Sequence, residues 1–152
     1  MANLRVTADG IAKADDPFQA LKETLDALPD ETMKKRVRHV VTEIERVRSF
    51  VRAFANGDIE AAGRLFNASH DSLAADYEVT VPELDVAVDV ARKNGAYAPH
   101  DRRRLRWSII ALVDKGRSQE VAQKIADEFE KQGFHAPRAL AAYAAKSASR
   151  EA

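Results

Sequence analysis

Cysteine is missing from all 152 residues, which excludes a disulfide framework and fits a reducing compartment. Glycine is scarce at six residues. Neither GxxxxGK[ST] nor GxGxxG occurs intact, so there is no ready-made phosphate cradle. An excess of either charge is absent too. Lys plus Arg and Asp plus Glu are 24 each, so no global field draws the chain to nucleic acid or a membrane, and any such affinity has to come from a local patch. No fully apolar run, Ile109 to Val113 included, comes near the roughly 20 residues of a spanning helix. The opening MANLRVTADG has no apolar core of a secretory signal. Length and composition are those of one soluble domain, expected in the cytoplasm.

What is present is helical periodicity. Residues 1–15 carry no clear period and read as a lead-in, with one domain over 16–152. Asp16 caps a helix with Pro17 at its first position and Gln19 completing a capping box. Phe18, Leu21, Leu25 and Leu28 share its apolar face, and Pro29 stops it. Asp30 caps the longest helix, whose stripe runs through Met33, Val37, Val40, Val41, Ile44, Val47, Val51 and Phe54. Asp30 with Lys34 and Glu31 with Lys35 are spaced for i,i+4 ion pairs. Asn56-Gly57 ends that helix. Asp58 caps a third, running to about Ala75, with Ile59, Ala62, Leu65, Phe66, Ser69 and Leu73 inward. Pro82 opens a fourth through Leu84, Val88 and Ala91, closed by Asn94-Gly95. Ser108–Val113 reads as a central strand. A fifth helix through Val121, Ile125 and Phe129 stops at Gly133, and Phe134–Tyr143 is expected to return as a strand. The pattern gives a helix-rich α+β domain with a small antiparallel sheet.

Several clusters have the residue types of reactive sites. His39 and Glu43 lie one turn apart on the long helix, a metal-ligand spacing, but three or four ligands are needed and packing explains the pair better. Ser69-His70-Asp71 holds the residues of a nucleophilic triad. Neighbours on a helix point about 100° apart, so they form no relay. Asp76 and Glu78 flank Tyr77, and a solvated loop accounts for them equally well. Two basic runs, Lys34-Lys35-Arg36 with Arg38 and Arg102-Arg103-Arg104 with Arg106 beside Trp107, have the composition of a phosphate-and-base contact. The first is balanced by acids on its own helix, and the second is short. No residue is assigned as catalytic, cofactor-binding or metal-binding.

Three segments together resemble the C-terminal domain of the galactokinases, in the GHMP kinase superfamily. They are RHVVTEIERV (38–47), GRLFNASHDSLAADYEVTVPELDVAV (63–88), and NGAY followed by SIIALV. In the middle segment the family shows Ser-His-x-Ser-Leu, Asp-Tyr-Glu-Val and Pro-Glu-Leu-Asp at this spacing. Thr80-Val81 stands where Ser-Cys is common, a mild change. The resemblance implies a ferredoxin-like fold and a context of phosphorylating the C1 hydroxyl of galactose with ATP and Mg. The family's catalytic aspartate, sugar contacts and main phosphate loop belong to an N-terminal domain whose motifs do not occur here. The chain is therefore expected to be a fragment, inactive alone, with such a domain as its partner and no tight nucleotide of its own. The alternative is a non-catalytic module holding RNA or an acidic partner through Arg102–Arg106.

One departure is larger. Where the family reads Gly-Ala-Arg-Met-Thr-Gly-Gly-Gly-Phe-Gly-Gly, this chain reads Ala98-Pro99-His100-Asp101-Arg102-Arg103-Arg104-Leu105-Arg106-Trp107. A nucleotide string encoding Arg-Met-Thr-Gly-Gly-Gly-Phe-Gly, read one base earlier, encodes residues 99–107 as they stand. The segment is also one residue short, as two lost bases before it and one after it would leave it. The reading is a local frameshift, in the gene or its sequencing, that turned a glycine loop into an arginine run.

Overall fold

A computed structural model describes residues 3–102, 108–114 and 116–135. Its helices are α1 (Leu4–Ala12), α2 (Pro17–Asp26), α3 (Glu31–Ala55), α4 (Ile59–Ser72), α5 (Pro82–Lys93) and α6 (Ser118–Lys131), with a single π-helical turn, Leu73–Tyr77, continuing α4. Strands β1 (Ala98–Arg102) and β2 (Ser108–Leu112) pair antiparallel in the register Ala98↔Leu112 to Arg102↔Ser108.

The starts of the helices follow their caps. Asp16, Asp30 and Asp58 each accept backbone N–H groups of the first turn, satisfying donors that would otherwise lack partners. The capping box at α2 does not close, because the Gln19 amide donates forward to Glu23 at 2.8 Å. The expected lead-in is instead largely helix. Asn3 caps α1 by accepting from Val6 N–H at 2.9 Å, and Ala8 and Ile11 are buried against Val41 of α3. The apolar spacing of α1 is too sparse to show as a period; tertiary packing stabilises it.

Among the described residues, two apolar clusters hold most of the core, with Ala62, Leu84 and Val88 buried outside them. One joins α1, α2 and α3 around Ala8, Ile11 and Val41; the other joins α5, α6 and β2 around Ala87, Ala91, Val121, Ile125 and Phe129. In α5, Leu84, Val88 and Ala91 are buried as the pattern requires. In α6 the same holds for Val121, Ile125 and Phe129, and Gly133 at φ 74° ends that segment. In α4 the buried set is Ala62, Gly63, Ser69, His70 and Ser72, while Ile59, Leu65, Phe66 and Leu73 are half-buried. Gly63 lets α4 touch the chain entering β1. A Cβ there would lie 2.1 Å from the Tyr97 carbonyl oxygen.

Two expectations are corrected. Phe18 is 79% exposed and no residue of α2 is buried, because α2 covers α3 with Ala20 and Leu21. Lys34 pairs with Glu31 and Lys35 with Glu78, in place of the i,i+4 pairs. Among the described residues, β2 pairs with β1 alone; a central strand needs a second neighbour, which is not among them. Pro99 in β1 suits an edge, since proline cannot donate to a neighbouring strand. Phe134 and His135 hold no regular structure. The rest of the expected Phe134–Tyr143 strand, and Arg103 to Trp107 of the arginine run, lie outside the described residues.

Candidate functional site

The Asp76-Tyr77-Glu78 segment is the joint at which distant parts of the chain meet. The π-helical turn places Asp76 and Tyr77 against the first half of α3. Glu78 then takes a left-handed conformation at φ 55°, which redirects the chain toward α5. Asp76 Oδ1 accepts from Arg38 Nε at 2.9 Å and Nη2 at 2.7 Å, and its Oδ2 accepts from the Ser72 hydroxyl at 3.2 Å. Glu78 accepts from Lys35 at 2.7 Å and from Arg36 at 3.0 Å. The Tyr77 ring is stacked on His39, with centroids 4.7 Å apart, and the Arg36 guanidinium lies 5.4 Å above it. Both carboxylates of this hub therefore tie the segment to α3, Asp76 from a half-buried position and Glu78 from one still exposed to solvent.

The electrostatics follow. Hydrogen bonds from Lys35 and then Arg36 hold the Glu78 carboxyl below the usual glutamate range. The Asp76 hydrogen bond raises Arg38. Of the first basic run, Lys34, Lys35, Arg36 and Arg38 all have carboxylate partners, so their charge is spent inside the chain.

The other candidates are drawn apart. His39 Nδ1 is 3.0 Å from Ser72 Oγ, while Glu43 accepts from the Ser69 hydroxyl at 2.6 Å and from Arg46. They do not converge, and among the described residues no group of three or more His, Asp or Glu is placed to hold a metal. Ser69, His70 and Asp71 face three different partners: Glu43, Asp85 and Arg92. Sequence reasoning did not single out the clamp at Arg92. Its guanidinium donates to the side chain and carbonyl of Asn67 at 2.9 and 3.0 Å and to Asp71 at 2.9 Å, tying α5 to α4. The i,i+4 spacing of Asn67 and Asp71, which puts both on one face of α4, is the signal that could have found it.

The hub and the first basic run do not fit an ATP–Mg site. Phosphates need free backbone N–H groups or cations. The α3 cations of the first run are paired, and no two glycines in the sequence are adjacent. Beside the hub lies an open hollow of about 530 Å³ walled by Leu4, Val37, Val40, Tyr77 and Val79, with Arg36 and Glu78 at its edge. Its walls are apolar, so it suits apolar side chains better than a phosphate.

Comparison with known proteins places these features. Residues 50–98 match the family described as GHMP kinases C terminal. A galactokinase of Streptomyces coelicolor is 37% identical over 141 residues, which takes in 91% of this chain and 36% of that protein. One from Haemophilus influenzae is 38% identical over 120 residues, 76% of this chain and 31% of the relative. The crystal structure of Lactococcus lactis galactokinase complexed with galactose superposes with a TM-score of 0.68 at 31% identity, over 76% of this chain and 31% of that one. The chain thus spans about a third of the length of the relatives it matches. Among the described residues, no helix is long and apolar enough to cross a membrane.

Proposed function

The chain is a relative of the galactokinases and carries the C-terminal segment of GHMP kinases; from that premise we propose that it is the C-terminal part of a cytoplasmic galactokinase. In that role it supports transfer of the ATP γ-phosphate to the C1 hydroxyl of galactose and is inert when alone. The observation behind this reading is the likeness itself, which extends over 91% of the chain in one relative and includes the Asp76-Tyr77-Glu78 hub. Phosphoryl transfer rests on positioning and on charge stabilisation of the moving phosphoryl group. That the α3 cations of the first basic run are already held by Asp76, Glu78 and Glu31 supports the reading that the chain alone does not supply that charge stabilisation.

The sharpest test incubates the purified 152-residue chain with galactose and MgATP. No turnover is expected; galactose 1-phosphate above background would overturn inertness. Co-purification with a separately encoded N-terminal domain, with activity restored, would show how such a chain enters catalysis. We further propose that the family's ferredoxin-like sheet extends the β1–β2 hairpin. That requires at least one more strand beyond the described residues. We keep the frameshift as the origin of residues 98–107. Resequencing the codons for residues 97–108 tests it directly, and an unambiguous arginine run would reject a sequencing error. The RNA-binding alternative loses its first basic run to internal ion pairs and rests on Arg102–Arg106 alone.

A further inference from the structure

Helix α3 carries two complementary features on one face. At 100° per residue, Val37, Val40, Val47, Val51 and Phe54 fall within about 100° of arc. In the N-terminal half this face is recessed: Val37 and Val40 floor the hollow of about 530 Å³ between α1 and the π-helical turn. In the C-terminal half it is a bare ridge, with Val47 55%, Val51 60% and Phe54 48% exposed. Ridge and hollow are centred roughly 18 Å apart along the helix, at 1.5 Å per residue.

We propose that this face docks a second copy of the chain, the two α3 helices lying antiparallel about a two-fold axis near Ile44. A two-fold contact is isologous, so each patch must find its complement on the same surface. Here it does. In an antiparallel register that sets Val40 against Val47 of the other copy, Met33 meets Phe54 and Val37 approaches Val51. The ridge of each copy enters the hollow of the other, twice by symmetry.

Charge permits the approach. Lys35 and Arg36 are paired with Glu78, Arg46 with Glu43, and Arg48 with Asp9, so like faces meet without net repulsion. The whole chain has a formal net charge of zero, which removes long-range repulsion as well. A rim whose cations are already matched offers little to a polyanion, and recognition rests on apolar burial. This inference does not depend on the kinase reading.

The absence of cysteine makes the test clean. In the double variant Val40→Cys with Val47→Cys, the two positions are seven residues apart, about 10 Å on the helix, too far to bridge within one chain. Mild oxidation is expected to give a closed covalent dimer, and Val40→Cys alone to give none. A ladder of higher polymers would overturn the register. Sedimentation equilibrium of the unmodified chain is expected to show a monomer–dimer equilibrium, weakened at least tenfold by Val51→Asp with an unchanged circular dichroism spectrum. A strict monomer at tens of micromolar, or a dimer indifferent to Val51→Asp, would overturn the proposal and leave the face to another protein or to further residues of a longer chain.

Discussion

Single residues decide how closely the elements meet. Gly63 is the clearest case, because a methyl group there would intrude on the Tyr97 backbone, which cannot swing aside as a long side chain can. Gly63→Ala is expected to cost about 1–3 kcal/mol through overpacking, read as a lower urea midpoint. An unchanged midpoint would show that α4 and the β1 entry are free to separate. Glu78 sets a pH dependence. Its folded pKa is lowered by Lys35 and Arg36, so its contribution is full above the ordinary glutamate range and is lost as pH falls through the lower folded value. Glu78→Gln should therefore melt below the parent chain at pH 7 and converge with it as the pH falls below the ordinary glutamate range. Curves that stay parallel would mean that the ion pairs add nothing. The caps at Asp16, Asp30 and Asp58 were legible in the sequence because a cap is a local matter of three residues. The Glu78 pairs were not, since their partners stand 42 and 43 residues away.

Among the elements, α3 shows the limits of periodicity. Its stripe identified the helix and its apolar face correctly, yet periodicity names only the face and never what covers it. In the structure α1 covers Val41, while Val47 and Val51 stay bare. The π-helical turn after α4 was invisible for a related reason: its sequence continues a helical pattern, and its register is set by what Asp76 and Tyr77 touch on α3. Asp76 is the pin of that joint, engaged by Arg38 and Ser72 at once. Asp76→Ala removes charge-assisted bonds worth about 1.5–3 kcal/mol each when desolvated. The Arg38 side chain is 40% exposed, so the loss is expected at the lower end. Hydrogen exchange localises it. The Val79 amide, bonded to the Leu73 carbonyl at 3.2 Å, should lose protection before the amides of α6 do, and equal loss in both places would deny the joint its separate role.

The described part of the molecule rests on little buried volume. Among the described residues, Val88 is the largest side chain with less than 2% exposure, and five of the twelve buried apolar residues are alanines. Composition accounts for this in retrospect, since an alanine-rich chain with 7% aromatic residues can bury many small contacts but few large ones. What composition did not reveal is that the core divides. Phe129 anchors the α5–α6 cluster, set edge-on to Phe134 with centroids 5.6 Å apart, while the α1–α3 cluster shares none of its residues. Phe129→Ala should cost about 3–5 kcal/mol, a large share of the 5–15 kcal/mol that holds a typical domain. Because the two clusters are bridged mainly through α4, the loss should be uneven: α5, β2 and α6 should exchange their amides rapidly at a denaturant concentration where the inward face of α3 stays protected. If exchange instead quickened to the same extent across all helices, the two clusters would be one cooperative core, and the α4 contacts that link them, Ser69 to Glu43 on one side and Asn67 and Asp71 to Arg92 on the other, would be strong enough to transmit the damage from end to end.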